Sequence, residues 1–135
     1  MTGVRSVIDG LRVALLGILA AGTIFPVFAG SRVESSLLLQ TSRLAGMRYY
    51  EAGQVWPELK EGDLLDLRRE ADNPYDSRAV QVYWHEHKLG YVPRLCNADV
   101  ARLLDHGARL NGRIVSLSHA RHRQLVFEID EVLSP

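Results

Sequence analysis

The run from Arg69 to Val80 combines side chains that could bind a nucleotide. Within it, Asn73 and Pro74 start a turn, because proline fixes its own φ angle and keeps the preceding residue out of the helical region. Tyr75 then offers an aromatic ring and Asp76 an anionic acceptor, with arginines on both sides of the turn. A turn alone requires neither the ring nor the arginines. Together, the ring, amide, carboxylate and guanidinium groups indicate stacking on a base and contact with its sugar or phosphate.

Strand-like segments surround this turn. Residues 79–84 and 125–130 alternate between more and less apolar side chains, as strands with one buried face do. We expect strands at residues 44–51, 64–69, 79–84, 88–92 and 110–117, and from residue 125 onward. The segment 31–42 is either a tether or a first strand at the domain edge.

The rest of the chain adds few other elements. Asn97 is expected to cap a helix that ends at Gly107, and residues 53–62, with Pro57 and two glycines, are expected to form a loop. The basic turn 121–123 is expected to be a solvated loop, with backbone contacts to a nucleic acid as the alternative. Many short strands and few helices predict a mainly β fold with one or two helices, a small and partly open barrel.

Composition limits the kind of site. The chain has 135 residues, of which 47% are hydrophobic and 24% charged, as in one globular domain. The formal net charge is zero. A protein that follows long stretches of phosphate backbone is normally more basic, so any nucleic-acid site should be local. The single cysteine, Cys96, excludes an internal disulfide and a metal site with two cysteines.

The N-terminal residues predict export or anchoring. Arg5 and Arg12 precede an uncharged stretch that ends in the small residue Ala29, which is the pattern of a secretory signal peptide. An uncleaved membrane anchor is the alternative, since the stretch approaches the roughly 20 residues needed to span a bilayer. We therefore predict a signal peptide or anchor at residues 1–29, a tether at 30–43 and a domain at 44–133. The protein would be periplasmic or anchored in the inner membrane, and cytoplasmic if this segment is not a working signal.

Three blocks in the expected order resemble the HIRAN domain family. They are Arg48-Tyr49-Tyr50, Asn73-Pro74-Tyr75-Asp76 and Gly90-Tyr91-Val92-Pro93. The resemblance covers roughly residues 44–132. The family occurs alone in bacteria and fused to Snf-type DNA translocases in eukaryotes. The resemblance implies an OB-like barrel that binds single-stranded DNA at a free 3′ end. The uncharged N-terminal stretch, which the resemblance does not cover, predicts a hydrophobic helix that precedes the barrel.

The resemblance also implies roles for the turn. Tyr75 would stack on the terminal base, Asp76 would accept a hydrogen bond from the 3′-hydroxyl, and Asn73 would contact a base edge or hold the loop. A carboxylate accepts from a hydroxyl but repels a phosphate, so it would select the free end. The alternative is structural: Asn73 and Asp76 make only turn hydrogen bonds and Tyr75 packs on the barrel rim.

Four further residues are candidates, three of them by the same resemblance. On a strand, Tyr49 would face away from Arg48 and Tyr50. Tyr49 would then stack on a base and Arg48 would bind a phosphate, with Tyr50 in a structural role. The other two candidates, Tyr91 and Arg94, would supply a second ring and another phosphate contact. Simple exposure at the surface is the alternative for the arginines.

Motifs for catalysis and metal binding are missing from the sequence. It contains no GxxxxGK[ST] phosphate-binding loop and no GxSxG element. It has no CxxC or HxxxH spacing, which leaves zinc as a minor alternative. We expect a non-enzymatic module without a cofactor that binds single-stranded DNA, with possible membrane contact through residues 1–29. The alternative is an exported or anchored protein-interaction domain that keeps the barrel without binding DNA.

Overall fold

The computed structural model describes residues 34–133, which form one antiparallel sheet with two short helices. The six strands are β1 (Ser35–Arg43), β2 (Leu64–Glu70), β3 (Ala79–Trp84), β4 (His87–Tyr91), β5 (Leu110–Ser118) and β6 (Gln124–Leu133). The helices are α1 (Ala52–Val55) and α2 (Ala98–Asp105), and 3₁₀ turns occupy Met47–Tyr49, Trp56–Glu58 and Arg94–Cys96. The strand order is β1-β6-β5-β2-β3-β4, with every neighbouring pair antiparallel.

The alternation of side chains predicted for the last strand is observed in β6, and it shows which face of that strand borders the core. Leu125, Phe127 and Ile129 of β6 are buried, while the residues between them are partly exposed. Because successive side chains of a strand point to opposite faces, one face of β6 covers the core. Ile114 of β5 and Val80 of β3 join the same apolar cluster.

The two edges of the sheet meet at one point. Ala45, just after β1, and Tyr91, at the end of β4, exchange two backbone hydrogen bonds of 2.9 Å each. Gly90 permits this approach, because a Cβ there would overlap the carbonyl oxygen of Ala45. The sheet therefore curls without closing into continuous ladders, which confirms the prediction of a mainly β, OB-like and partly open barrel.

The strand predicted at residues 44–51 is wrong. Gly46 adopts a left-handed backbone conformation with φ of 73°, and a 3₁₀ turn follows at Met47–Tyr49. A chain that leaves β1 at one edge and pairs at once with β4 at the other cannot remain a straight strand. The face alternation inferred for this segment lapses with the strand.

The loop predicted at residues 53–62 is wrong in its first half. The helix α1 and the 3₁₀ turn Trp56–Glu58 fill that half, and Pro57 lies in the first turn, where its missing N–H is not required. The predicted helix after Asn97 is confirmed as α2, and Gly107 follows it with φ of 83°.

The predictions for the N terminus fall largely outside the structure. The signal peptide or anchor at residues 1–29, with its hydrophobic helix, lies outside the described residues. From Ser35 onward the segment predicted as either tether or first strand is β1, paired with β6. Among residues 34–133, no helix is long and apolar enough to cross a membrane.

Candidate nucleic-acid interface

A cavity of about 300 Å³ lies where the two sheet edges meet, and we call it the end cavity. Three segments line it: the turn after β1, the loop between β2 and β3, and the end of β4. Five of the seven predicted site residues lie on it, namely Asn73, Tyr75, Asp76, Tyr91 and Arg94. The backbone bridge between Ala45 and Tyr91 therefore brings together segments that are far apart in sequence.

Asn73 organises the loop between β2 and β3. Its Oδ1 accepts hydrogen bonds from the backbone N–H groups of Tyr75 (2.9 Å) and Asp76 (3.1 Å), as an Asx turn does. Its Nδ2 donates to Glu70 Oε2 at 2.7 Å. Of the two roles predicted for Asn73, this geometry corresponds to holding the loop.

Tyr75 occupies the tip of the loop and is 85% exposed. With so little of it covered, the ring does not pack closely on the barrel rim, as the structural alternative requires. An exposed ring at the mouth of a cavity has a face free for a flat ligand. Arg94 also lines the end cavity, from the exposed 3₁₀ turn that follows β4.

Asp76 is fixed by two hydrogen bonds. Its Oδ1 accepts from the Arg78 backbone N–H at 3.0 Å, and its Oδ2 accepts from Asn97 Nδ2 at 2.7 Å. Burial alone would raise the pKa of Asp76, but these two hydrogen bonds and the charges of Arg94 and Arg78 outweigh burial. The pKa is therefore lowered from its ordinary value of 3.8, and the group is a carboxylate at neutral pH.

Asn97 precedes α2 but does not cap it with its side chain. The residue is completely buried, and its amide nitrogen is committed to Asp76. Its Oδ1 is the one buried side-chain polar atom within residues 34–133 that has no hydrogen-bond partner. Sequence reasoning placed Asn97 correctly at the helix start but missed its contact with the site.

A second network supports the opposite wall. Glu70 Oε2 accepts from the Tyr91 hydroxyl at 2.7 Å as well as from Asn73, and Lys88 Nζ lies 2.7 Å from the Tyr91 oxygen. The hydrogen bond from Asn73 is the largest influence on the pKa of Glu70 and lowers it, with Tyr91 and Lys88 acting in the same direction against burial. Burial, followed by the hydrogen bond to Glu70, raises the pKa of Tyr91.

The ammonium of Lys88 also lies 4.3 Å from the ring centres of both Tyr50 and Tyr91. Those two rings meet edge to face, 5.6 Å apart, and Tyr50 lines the end cavity. Sequence reasoning gave Tyr50 only a structural role and did not identify Lys88 or Glu70. The one signal in the sequence was that Glu70 lies at the end of β2, three residues before Asn73.

Arg69, one of the two arginines on either side of the turn at residues 73–76, has a structural role. Its guanidinium pairs with Asp105 of α2 at 3.0 Å and donates to the carbonyl oxygens of Ser77 (2.6 Å) and Ala79 (3.0 Å). These contacts connect both ends of the loop between β2 and β3 to helix α2. The loop is therefore held in place before any ligand arrives.

Arg48 and Tyr49 lie outside the end cavity. The 3₁₀ turn places them on a neighbouring hollow, shared with Leu44, Gly46 and Met47, which we call the Tyr49 hollow. Tyr49 is 75% exposed, and the Arg48 guanidinium lies 5.8 Å from the centre of its ring. They are therefore neighbours on one surface, and the opposite faces inferred from a strand do not apply.

Within residues 34–133, no group of three or more His, Cys, Asp or Glu side chains could hold a metal ion.

Comparisons with known proteins identify relatives of this chain. The model of the HIRAN domain matches residues 38–130. A crystal structure of a protein from Lactobacillus plantarum is 30% identical with a TM-score of 0.68, covering 75% of this chain and 99% of that one. The crystal structure of the HIRAN domain of human HLTF is 19% identical with a TM-score of 0.58, covering 71% and 78%. No curated protein matches the chain.

Proposed function

The chain belongs to the HIRAN domain family, and on this basis we propose that it is a non-enzymatic module that binds single-stranded DNA at a free 3′-hydroxyl end. The observation that carries the proposal is the pairing of an exposed ring, Tyr75, with an oriented carboxylate, Asp76, on one cavity. Stacking and hydroxyl capture are the two contacts that the end of a strand can offer together.

The ring of Tyr75 would hold the terminal base. Base–aromatic stacking is worth roughly 1–3 kcal/mol per base, and it tolerates any base because every base has a π-face. The volume of the end cavity, about 300 Å³, lies at the small end of the range for ligand sites. This favours one terminal nucleoside rather than a longer segment.

The carboxylate of Asp76 would supply the selectivity. An ionised carboxylate is an acceptor only, so it can take a hydrogen bond from a 3′-hydroxyl. A 3′-phosphate in the same position would bring two negative charges together and would find no donor on Asp76. The lowered pKa keeps Asp76 charged throughout the neutral range, so this discrimination would not depend on pH there.

Hydrogen bonds fix the side chains of the site before a ligand binds. Asn73 and Arg69 hold the loop from inside, Asn97 fixes Asp76, and Glu70 with Lys88 fixes Tyr91. A pre-organised site loses less entropy on binding than a loop that must first order. With one or two bases held, we expect affinity near 1 µM, on the order of −8 kcal/mol.

Arg94 would contact a phosphate next to the terminal nucleoside. It is exposed, lines the end cavity and lies close enough to Asp76 for its charge to lower the pKa of that carboxylate. Tyr49, on the adjoining hollow, is a candidate platform for the next base. The zero net charge of the chain agrees with a few local contacts rather than a long basic track.

The test is fluorescence anisotropy of the full chain with a short labelled single strand that ends in either a 3′-hydroxyl or a 3′-phosphate. We expect clear preference for the hydroxyl. Equal binding of both ends would contradict end recognition. No binding of either would support the alternative of an interaction domain that keeps the barrel alone.

A further inference from the structure

A second hollow, of about 690 Å³, adjoins the Tyr49 hollow and has no role in the function proposed above. Arg48, Trp56 and the turn 119–123 line it, and we call it the basic hollow. Within residues 34–133, its lining includes three arginines and two histidines but no acidic residue. Since the chain as a whole has zero net charge, this is a local concentration of positive charge.

The arginines of the basic hollow are available to a ligand. Within residues 34–133, none of Arg48, Arg121 and Arg123 takes part in a salt bridge. The Arg123 guanidinium lies 5.7 Å from the centre of the Trp56 ring, which leaves its N–H groups free to donate. Guanidinium groups without a carboxylate partner favour an anion with several oxygens, such as a phosphate.

The floor of the basic hollow is ordered by a side-chain hydrogen bond. The Trp56 indole N–H donates to His119 Nδ1 at 3.3 Å. Because the indole N–H can only donate, Nδ1 is the acceptor in this contact.

The Tyr49 hollow lies between the end cavity and the basic hollow and shares lining residues with each. Gly46 lines both the end cavity and the Tyr49 hollow, while Met47 and Arg48 line both the Tyr49 hollow and the basic hollow. A strand whose end lies in the end cavity therefore has a path over Tyr49 to the basic hollow.

We infer that the basic hollow binds backbone phosphates of the same strand, on the 5′ side of the nucleotide held in the end cavity. This inference rests on the proposed function and extends it from the terminal nucleotide to a defined path. It predicts that affinity rises with strand length until the strand reaches Arg121 and Arg123, and then levels off.

The test compares 3′-hydroxyl oligothymidylates of about three and about ten nucleotides, which bracket the lower end of site sizes for OB folds. The full chain is compared with Arg121→Gln/Arg123→Gln and with the control Arg109→Gln/Arg113→Gln, which removes the same charge on and just before β5. We expect the first variant to bind the long strand roughly tenfold more weakly and the short strand like the parent. Its slope of log affinity against log salt should fall by about 1.4, at about 0.7 per lost phosphate contact.

Three results would overturn the inference: equal affinity of the parent for both lengths, an equal loss in the control, or an equal loss for both lengths in the first variant. Equal melting temperatures of all variants establish that folding is intact. Failure of the proposed function has a different signature. In that case the parent would not distinguish 3′-hydroxyl from 3′-phosphate ends, while the arginine effect on long strands would persist.

Discussion

The Asn97 amide donates a 2.7 Å hydrogen bond to the Asp76 carboxylate, and it does so from a completely buried position at the start of α2. The helix therefore carries the residue that orients the acceptor of the end cavity. A carboxylate that accepts from the Asn97 amide at Oδ2 and from the Arg78 backbone N–H at Oδ1 keeps its remaining lone pairs in fixed directions. A hydroxyl donor would then meet an acceptor, the Asp76 carboxylate, that is already oriented.

Replacing Asn97 tests this relationship. Asn97→Ala removes one hydrogen bond of Asp76 and a buried amide, and it should lower the free energy of unfolding by about 1–3 kcal/mol. Affinity for a 3′-hydroxyl strand should fall several-fold, because Asp76 is no longer oriented. Urea unfolding and anisotropy measure the two effects. Asn111→Ala, at an exposed position, is the control and should change neither. Unchanged binding by a folded Asn97→Ala would show that this orientation does not matter.

Tyr75→Ala tests stacking directly. Because Tyr75 is 85% exposed, the substitution should leave stability unchanged. It should cost about 1–3 kcal/mol of binding, which is a loss of roughly five- to two-hundredfold. Tyr75→Phe keeps the ring and should bind like the parent. If the alanine variant also binds like the parent, Tyr75 does not stack on the ligand.

Gly90→Ala tests the junction between the sheet edges. A Cβ at this position overlaps the Ala45 carbonyl oxygen, which is backbone and cannot move aside cheaply. We expect a loss of about 2 kcal/mol or more in the free energy of unfolding. Gly53→Ala is the matched control, since its nearest neighbour would be a flexible arginine at 4.0 Å and alanine favours helix α1. Equal stability of the two variants would contradict the close approach.

The carboxylates of the site predict a dependence of stability on pH. The folded pKa values of Glu70 and Asp76 are lowered from ordinary values of 4.5 and 3.8. A lowered folded pKa means that the charged form stabilises the fold above the ordinary value, and that this contribution is lost as the pH falls through the lowered one. Stability should therefore decline below a pH of about 4.5.

Glu70→Gln should flatten that decline, because glutamine does not titrate. Thermal unfolding of the parent and the variant across the acid range measures the difference. Glu61→Gln, at an exposed position outside both networks, should follow the parent curve. Parallel curves for the parent and Glu70→Gln would mean that Glu70 does not contribute.

The sequence predicts β3, β5, β6 and α2 well because each has a clear period or end signal. It fails at residues 44–51, where Arg48, Tyr49 and Tyr50 look like an alternating strand. The actual path depends on the Ala45–Tyr91 bridge, a contact between residues 46 positions apart that no local pattern contains.

The candidate site also has one part that the sequence predicts and another part that it does not. The loop between β2 and β3 is predictable, since Asn73 and Pro74 determine a turn by their own chemistry. The supporting residues are not, because Glu70 meets Tyr91 only through the registers of β2 with β3 and of β3 with β4. Arg69 was indistinguishable in sequence from a ligand-binding arginine, and its contact with Asp105 required α2 to pack there.

The most direct test of the central claim is the ratio of affinities for 3′-hydroxyl and 3′-phosphate strands, measured for the full chain, for Asp76→Asn and for Asp72→Asn. Asp72 is an exposed carboxylate in the same loop and serves as the control. We expect the parent and Asp72→Asn to prefer the hydroxyl strongly, and Asp76→Asn to lose most of that preference by accepting the phosphate. A preference that survives Asp76→Asn unchanged would contradict end recognition by this carboxylate.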